Sequence, residues 1–287
     1  MRINKYFVIL LMTQLMIFPS FADSPVWKVS KGEDHLYIGG TVHVLGHKDY
    51  PLPKAFEDVY KKSQLLVFET DISEMQSPKN QALMAATMTY QDGSKLKDYL
   101  KPATYKSLEK YLEPLGIPVI TFENYRPGMV SVMLTMMELR KLGIMGVGVD
   151  QFYTSKAVND KKSIGKLETV EEQLSFLKKM GEGDPDEFIL YTLDEMKNLS
   201  ETFTLLKKAW RTGDNKSMVK IAVEPMKDFP DTYQMLVVDR NKAWVPQIIK
   251  MLETKEIEMV LVGALHLVGE DSVLKQLEAL GYTVNNL

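Results

Sequence analysis

The stretch His35-Leu36-Tyr37-Ile38-Gly39-Gly40-Thr41-Val42-His43-Val44-Leu45-Gly46 begins as a β-strand and ends as a turn. Aromatic and β-branched side chains give way to a glycine pair, where the backbone is free to turn, and then to an imidazole. Before it, Val26 to Ser30 has the same strand character, and the polar Lys31-Gly32-Glu33-Asp34 between them predicts an opening β-hairpin. After it, Pro53 stands at a helix N1 position, and Phe56, Val59 and Tyr60 recur at helical spacing. Leu65-Leu66-Val67-Phe68 then forms a short apolar strand. Strand, helix and strand in this order make a β-α-β unit, and an apolar strand between helices predicts a parallel sheet covered on both faces. Adjacency of the two strands in the sheet is the expected arrangement.

The chain end returns to the same alternation: Met259-Val260-Leu261-Val262, a helix from Asp271 to Leu280, then Tyr282-Thr283-Val284 after Gly281. Between the two ends, from about Met75 to Trp244, the pattern is mostly helical, interrupted at Pro102, Pro114-Leu115-Gly116, Pro127-Gly128, Gly143 and Gly181-Glu182-Gly183-Asp184-Pro185. Within it, Ser163 to Glu168 predicts a central strand, followed by Thr169 as N-cap with Glu172 at capping-box spacing. Met129, Met133, Met136 and Met137 read as core packing in preference to a methionine-lined peptide groove. The fold class is α/β: one domain over residues 23–287, a mixed β-sheet flanked by helices and carrying a helical insertion over about 75–244.

Of 287 residues, 45% are hydrophobic and 25% charged, which excludes a disordered or fibrous chain. The absence of cysteine excludes a thiol nucleophile, thiolate-bound metal and disulfides. A net charge of -3 lacks the basic footprint that nucleic acid requires. Arg2 and Lys5, an apolar run from Tyr6 to Phe18, and Ser20-Phe21-Ala22 read as a secretory signal peptide over residues 1–22, leaving a mature start at Asp23. The run is too short to span a bilayer, so the expected protein is periplasmic or secreted, with no membrane association once the signal is removed.

Gly40-Thr41-Val42-His43-Val44-Leu45-Gly46 has a counterpart in Gly263-Ala264-Leu265-His266-Leu267-Val268-Gly269. Each follows a strand, and together they hold two of the four histidines in the chain. A buried imidazole costs free energy unless hydrogen-bonded, so two in matched positions point to a shared task, either metal binding or acid–base work. Glu69 ends the Leu65–Phe68 strand at the same end of the β-α-β unit as His43. Two imidazoles and one carboxylate are the composition of a divalent-metal site with positions left open for water. Glu168 and Glu270 are further carboxylates able to serve as base or to orient a ligand. His35 reads as structural, and His47 as a poor ligand. No G-x-S-x-G elbow, H-E-x-x-H helix or phosphate-binding loop occurs.

The paired Gly-x-x-His turns, Glu69, Gly148-Val149-Asp150, Leu167-Glu168-Thr169 with Glu172-Gln173, and Arg240-Asn241 resemble the TraB/GumN family over nearly the whole mature chain. That family is similar to the Tiki metalloproteases and, more distantly, to erythromycin-esterase-like proteins. The resemblance implies a core of that kind, with His43, Glu69 and His266 as the site and Arg126 and Arg240 in substrate or structural roles. The leading expectation is a metal-dependent hydrolase of peptides using manganese, cobalt or zinc, with Glu168 or Glu270 taking a proton from the bound water. The alternatives are a metal-free hydrolase of esters or amides with His43 as general base, and a peptide- or haem-binding protein using the same histidines.

Overall fold

A computed structural model describes residues 24–287, and the expected signal segment lies outside them. Eight strands are present among these residues: β1 Val26–Lys31, β2 Asp34–Thr41, β3 Val44–Leu45, β4 Leu65–Phe68, β5 Gly146–Val147, β6 Ser163–Lys166, β7 Glu258–Gly263 and β8 Thr283–Asn286. Six build one sheet in the order β6-β4-β7-β2-β1-β8, while β3 and β5 pair separately. β6, β4, β7 and β2 run parallel, and β1 is antiparallel to both β2 and β8. The sheet is thus mixed and built from both chain ends, flanked by helices as the α/β reading expects.

Two placements correct the sequence reading. β4 is not the neighbour of β2, because β7 lies between them, and β6 is an edge strand where a central one is expected. The reason lies in side-chain burial. β7 is buried along its length from Glu258 to Val262, with Met259 and Leu261 in one core and Val260 and Val262 in the other. A strand apolar on both faces gains most between two partners, each buried Val or Leu contributing about 1.5–3 kcal/mol. β6 is exposed at Ser163 and Lys166 and only half-buried between them, which suits an edge. The opening hairpin closes through a two-residue turn, with Gly32 at φ +64° and Lys31 opposite Asp34. Pro53 caps the helix Lys54–Lys62 from outside and is not its first residue; Phe56, Val59 and Tyr60 are its buried face, as their spacing implies.

The helical region builds its own clusters, one around Leu108, Leu112, Phe122, Val130, Leu134 and Ile189, another around Met88, Val170 and Leu174. Met129, Met133 and Met137 pack against them, which agrees with core packing, whereas Met136 is exposed. The long helix Pro185–Arg211 ties this region to the sheet. Its last turns clamp the chain on both sides of His43: Trp210 Nε1 donates to the Gly40 carbonyl at 2.7 Å, Lys207 pairs with Asp49 at 2.7 Å, and Arg211 donates to the carbonyls of Asp49 and Pro51. Among the described residues no helix is long and apolar enough to cross a membrane.

Candidate functional site

Four parallel strands deliver their side chains to one edge. Glu69 directly follows β4, His43 lies two residues beyond β2, and His266 sits in the 3₁₀ turn Ala264–Leu267 after β7. Beyond β6 the pairing continues, with Leu167 N–H on the Phe68 carbonyl (3.0 Å) and Glu168 N–H on the Glu69 carbonyl (2.8 Å), so Glu168 stands beside Glu69. The carboxyl edge of parallel strands is where open α/β sheets bind ligands. Gly263 is the meeting point. A Cβ there would stand 3.1 Å from Glu69 Oε1, 3.5 Å from His266 Cδ2 and 3.8 Å from His43 Nε2. The three residues singled out in the sequence therefore surround one point beside Gly263, where a side chain would crowd Glu69.

Arg240 is the centre of the buried network. Its Nη2 donates to Glu69 Oε2 at 2.6 Å and to Glu168 Oε2 at 2.8 Å, its Nε donates to Glu168 Oε1 at 2.8 Å, and its Nη1 lies 3.2 Å from His266 Nε2. It is supplied by the helix Asp239–Leu252, which follows directly on the π-helical turn Gln234–Val238. The same helix contributes Asn241 and Trp244: Trp244 Nε1 donates to Glu168 Oε1 at 2.9 Å, and its ring lies 4.4 Å from that of His266. Gln173 donates to both Glu69 and Glu168. It lies on the helix Val170–Lys179, which opens with the Thr169–Glu172 capping box expected from sequence.

Each histidine is anchored through Nδ1. Asn241 donates its Nδ2 to the Asp271 carbonyl at 2.8 Å, so its Oδ1 is left to accept from His266 Nδ1 at 2.7 Å. The His266 Nε2 lone pair then faces Arg240 and, at 3.9 Å, Glu69 Oε1. His43 donates Nδ1–H to Asp150 Oδ2 at 2.8 Å. Asp150 reaches it because Val149 N–H bonds the Val42 carbonyl and because Gly148 carries no side chain; a Cβ there would fall 2.1 Å from the His43 carbonyl oxygen.

The charge states follow from these partners. The Asp150 carboxylate raises the His43 pKa to about 9, burial and Arg240 opposing it. Burial lowers the His266 pKa to about 4, with Arg240 and His43 adding to the effect against Glu69. Burial disfavours the Glu69 carboxylate, yet His266, Arg240, His43 and the Gly263 N–H outweigh it and hold its pKa well below the usual range. For Arg240, burial is outweighed by Glu168 and Glu69, which raise its pKa further.

The other sequence candidates stand apart. Glu270 is exposed, one residue past Gly269, whose φ of +84° turns the chain away. Arg126 precedes the helix Pro127–Lys141, pairs with Glu182 at 3.4 Å and lies over the Tyr90 ring. His35 is partly exposed against Tyr37, and His47 is exposed. Sequence reasoning did not single out Asp150, Gln173, Asn241 or Trp244. Three of these lie in segments noted for the family resemblance, Gly148-Val149-Asp150, Glu172-Gln173 and Arg240-Asn241, and that was the signal available.

Among the described residues no set of three His, Asp or Glu donors closes at metal-binding spacing. Arg240 stands against His266 and Glu69 where a cation would share them. The donor chemistry does fit a divalent cation. Both imidazoles have Nδ1 bonded, which leaves Nε2 as the ligating nitrogen when the ring is neutral. Two buried carboxylates, Glu69 and Glu168, share the Arg240 guanidinium, and a third, Asp150, is bonded to His43, so carboxylates outnumber guanidiniums in the cluster and a cation would offset that excess.

The model of the TraB/PrgY/gumN family matches residues 25–286, which takes in every residue of this cluster. The chain belongs to that family. It is similar to the uncharacterized protein YbaP of Escherichia coli (strain K12), 23% identical over 248 residues covering 86% of this chain and 89% of that protein. The protein of the same name in Shigella flexneri matches with the same identity and coverage. No solved structure matches. Family membership, expected from the paired histidine turns, is shown by the family model.

Proposed function

We propose that this TraB/PrgY/gumN family member is an exported hydrolase of peptides that uses a divalent cation. The observation that carries the reading is the convergence of His43 Nε2, Glu69 Oε1 and the His266 ring on the point left open by Gly263, with both imidazoles tautomerically prepared by their Nδ1 partners. His43, Glu69 and His266 would hold the cation. Bound there, it would polarise a substrate carbonyl and lower the pKa of water.

The chain's own residues do the rest. Asp150 and Asn241 fix the two rings. Glu168, which accepts from Arg240, Trp244 and Gln173, anchors Arg240. Arg240 is a guanidinium bonded to Glu69 and in contact with His266, placed to meet negative charge that develops on a substrate oxygen. A second reading, metal-free hydrolysis by the Asp150–His43 pair, draws its support from the Arg240 contact with His266 Nε2.

The test is melting temperature with added manganese, cobalt or zinc, alongside peptide hydrolysis. Wild type is expected to be stabilised, since a ligand that binds only the folded state raises apparent stability. His43→Ala, Glu69→Ala and His266→Ala should each lose the shift and most hydrolysis, and double variants little more. Hydrolysis indifferent to all three metals and to chelator transfers the function to the second reading.

A further inference from the structure

A cavity of about 270 Å³ in the helical region has Met180, Phe188, Met196, Met226, Phe229 and Leu236 among its apolar lining residues and Thr232 among its polar ones. Its three methionines are side chains that adapt to varied apolar shapes. The hydroxyl of Thr192 on the wall is already satisfied by Ser131 and the Phe188 carbonyl, so it makes no demand on an occupant. Glu195 is the one charged lining residue and is exposed, which places it at the rim.

Two walls of this cavity continue directly into the site around Arg240. Arg240 Nη1 donates to the carbonyl of Leu236 at 3.5 Å. The guanidinium lies over the Phe176 ring at 5.2 Å, and Met180 follows Phe176 by one turn, its N–H on the Phe176 carbonyl. One helical turn is about 5.4 Å, so Leu236 and Met180 on the cavity wall each stand one turn along their helices from Arg240 itself or from the ring it covers. Its volume is below the roughly 300–1,000 Å³ of pockets that hold a whole ligand and suits a single side chain.

We propose that this cavity is a specificity subsite that receives one uncharged apolar side chain, of leucine, methionine or phenylalanine size, from a peptide whose scissile bond lies at His43, Glu69 and His266. The proposal rests on the peptide-hydrolase reading for the scissile bond, but the subsite can be read by binding alone. A charged side chain would lose its hydration against the methionines, with Glu195 too exposed to replace it.

The experiment uses the mature chain and two cavity-filling variants on different walls, Met196→Trp and Thr232→Trp, with Met196→Leu as the conservative control. Binding of N-acetyl-leucinamide, N-acetyl-glycinamide and N-acetyl-lysinamide is followed by chemical-shift titration, and folding by thermal melting. The leucine amide is expected to bind at least tenfold more tightly than the other two. Either tryptophan should remove that advantage and Met196→Leu should keep it. In a peptide library, kcat/KM should favour Leu, Met or Phe over Ala at one position by tenfold or more, within the range that added methylene groups supply. Selective binding without hydrolysis upholds the subsite and defeats the hydrolase reading. No selectivity among the amides, a preference for lysine, or selectivity unchanged in both folded tryptophan variants overturns the subsite.

Discussion

The two histidine turns share one sequence frame and end in opposite physical states. The His43 side chain is 67% exposed and its Nδ1 is bonded to a carboxylate; that of His266 is 7% exposed and its Nδ1 is bonded to a neutral amide. The first is raised to about 9 and the second lowered to about 4. A repeated motif therefore places two imidazoles at one sheet edge, while the residues packed behind each ring decide its charge. Asp150 comes from the helix Val149–Asp160 and Asn241 from the helix Asp239–Leu252, so neither partner belongs to the repeated frame.

The largest effect should come from Arg240, which serves the buried half of the site. Arg240→Met leaves Glu69 and Glu168 without their counter-charge, and breaking one side of a buried pair costs about 3–5 kcal/mol. Chemical denaturation should show a loss of that order. Next, the turns should differ when truncated. His266→Ala leaves Asn241 and Arg240 groups unpaired in a buried space and should cost about 2–4 kcal/mol, whereas His43→Ala, at an exposed position where solvent weakens the pairing with Asp150, should cost less. Equal losses would break the comparison.

The smallest effect, and the sharpest, is on titration. Exchanging the anchors, Asp150→Asn and Asn241→Asp, should lower the His43 pKa and raise that of His266, as followed by NMR of the ring protons. The signs in stability are opposite. His43 has a folded pKa above its unfolded 6.5, so its contribution is complete below 6.5 and lost as pH rises to about 9. His266 has a folded pKa below 6.5, so its contribution is present above 6.5 and lost as pH falls to about 4. Glu69, held below the usual carboxylate range, adds to the loss on the acid side. Melting temperature should thus decline on both sides of about pH 6.5, and Asp150→Asn should flatten the alkaline limb alone.

Residue pattern by itself determined a good deal. The opening hairpin, the helix with Phe56, Val59 and Tyr60 inward, the capping box at Thr169 and the return to strand at Met259 are written in local periodicity and turn chemistry. The paired Gly-x-x-His frames, with Glu69 at a strand end, pointed to three side chains that do meet at Gly263. Their meeting was legible because each lies within two or three residues of a strand end, and parallel strands carry such residues to one edge.

Only the tertiary structure decided the sheet order, the network and the charges. Local pattern cannot state that β7, from the far end of the chain, enters between β2 and β4, since that choice depends on total burial across both faces. Nor does it separate Glu168, drawn beside Glu69 by pairing beyond β6, from Glu270, turned outward after Gly269. Arg240 became the centre because, among the described residues, it is the only guanidinium bonded to Glu69 and Glu168, 171 and 72 residues away in sequence. Two identical imidazoles acquired different proton affinities because a carboxylate reached one and burial desolvated the other, and such surroundings exist only once distant segments are packed together.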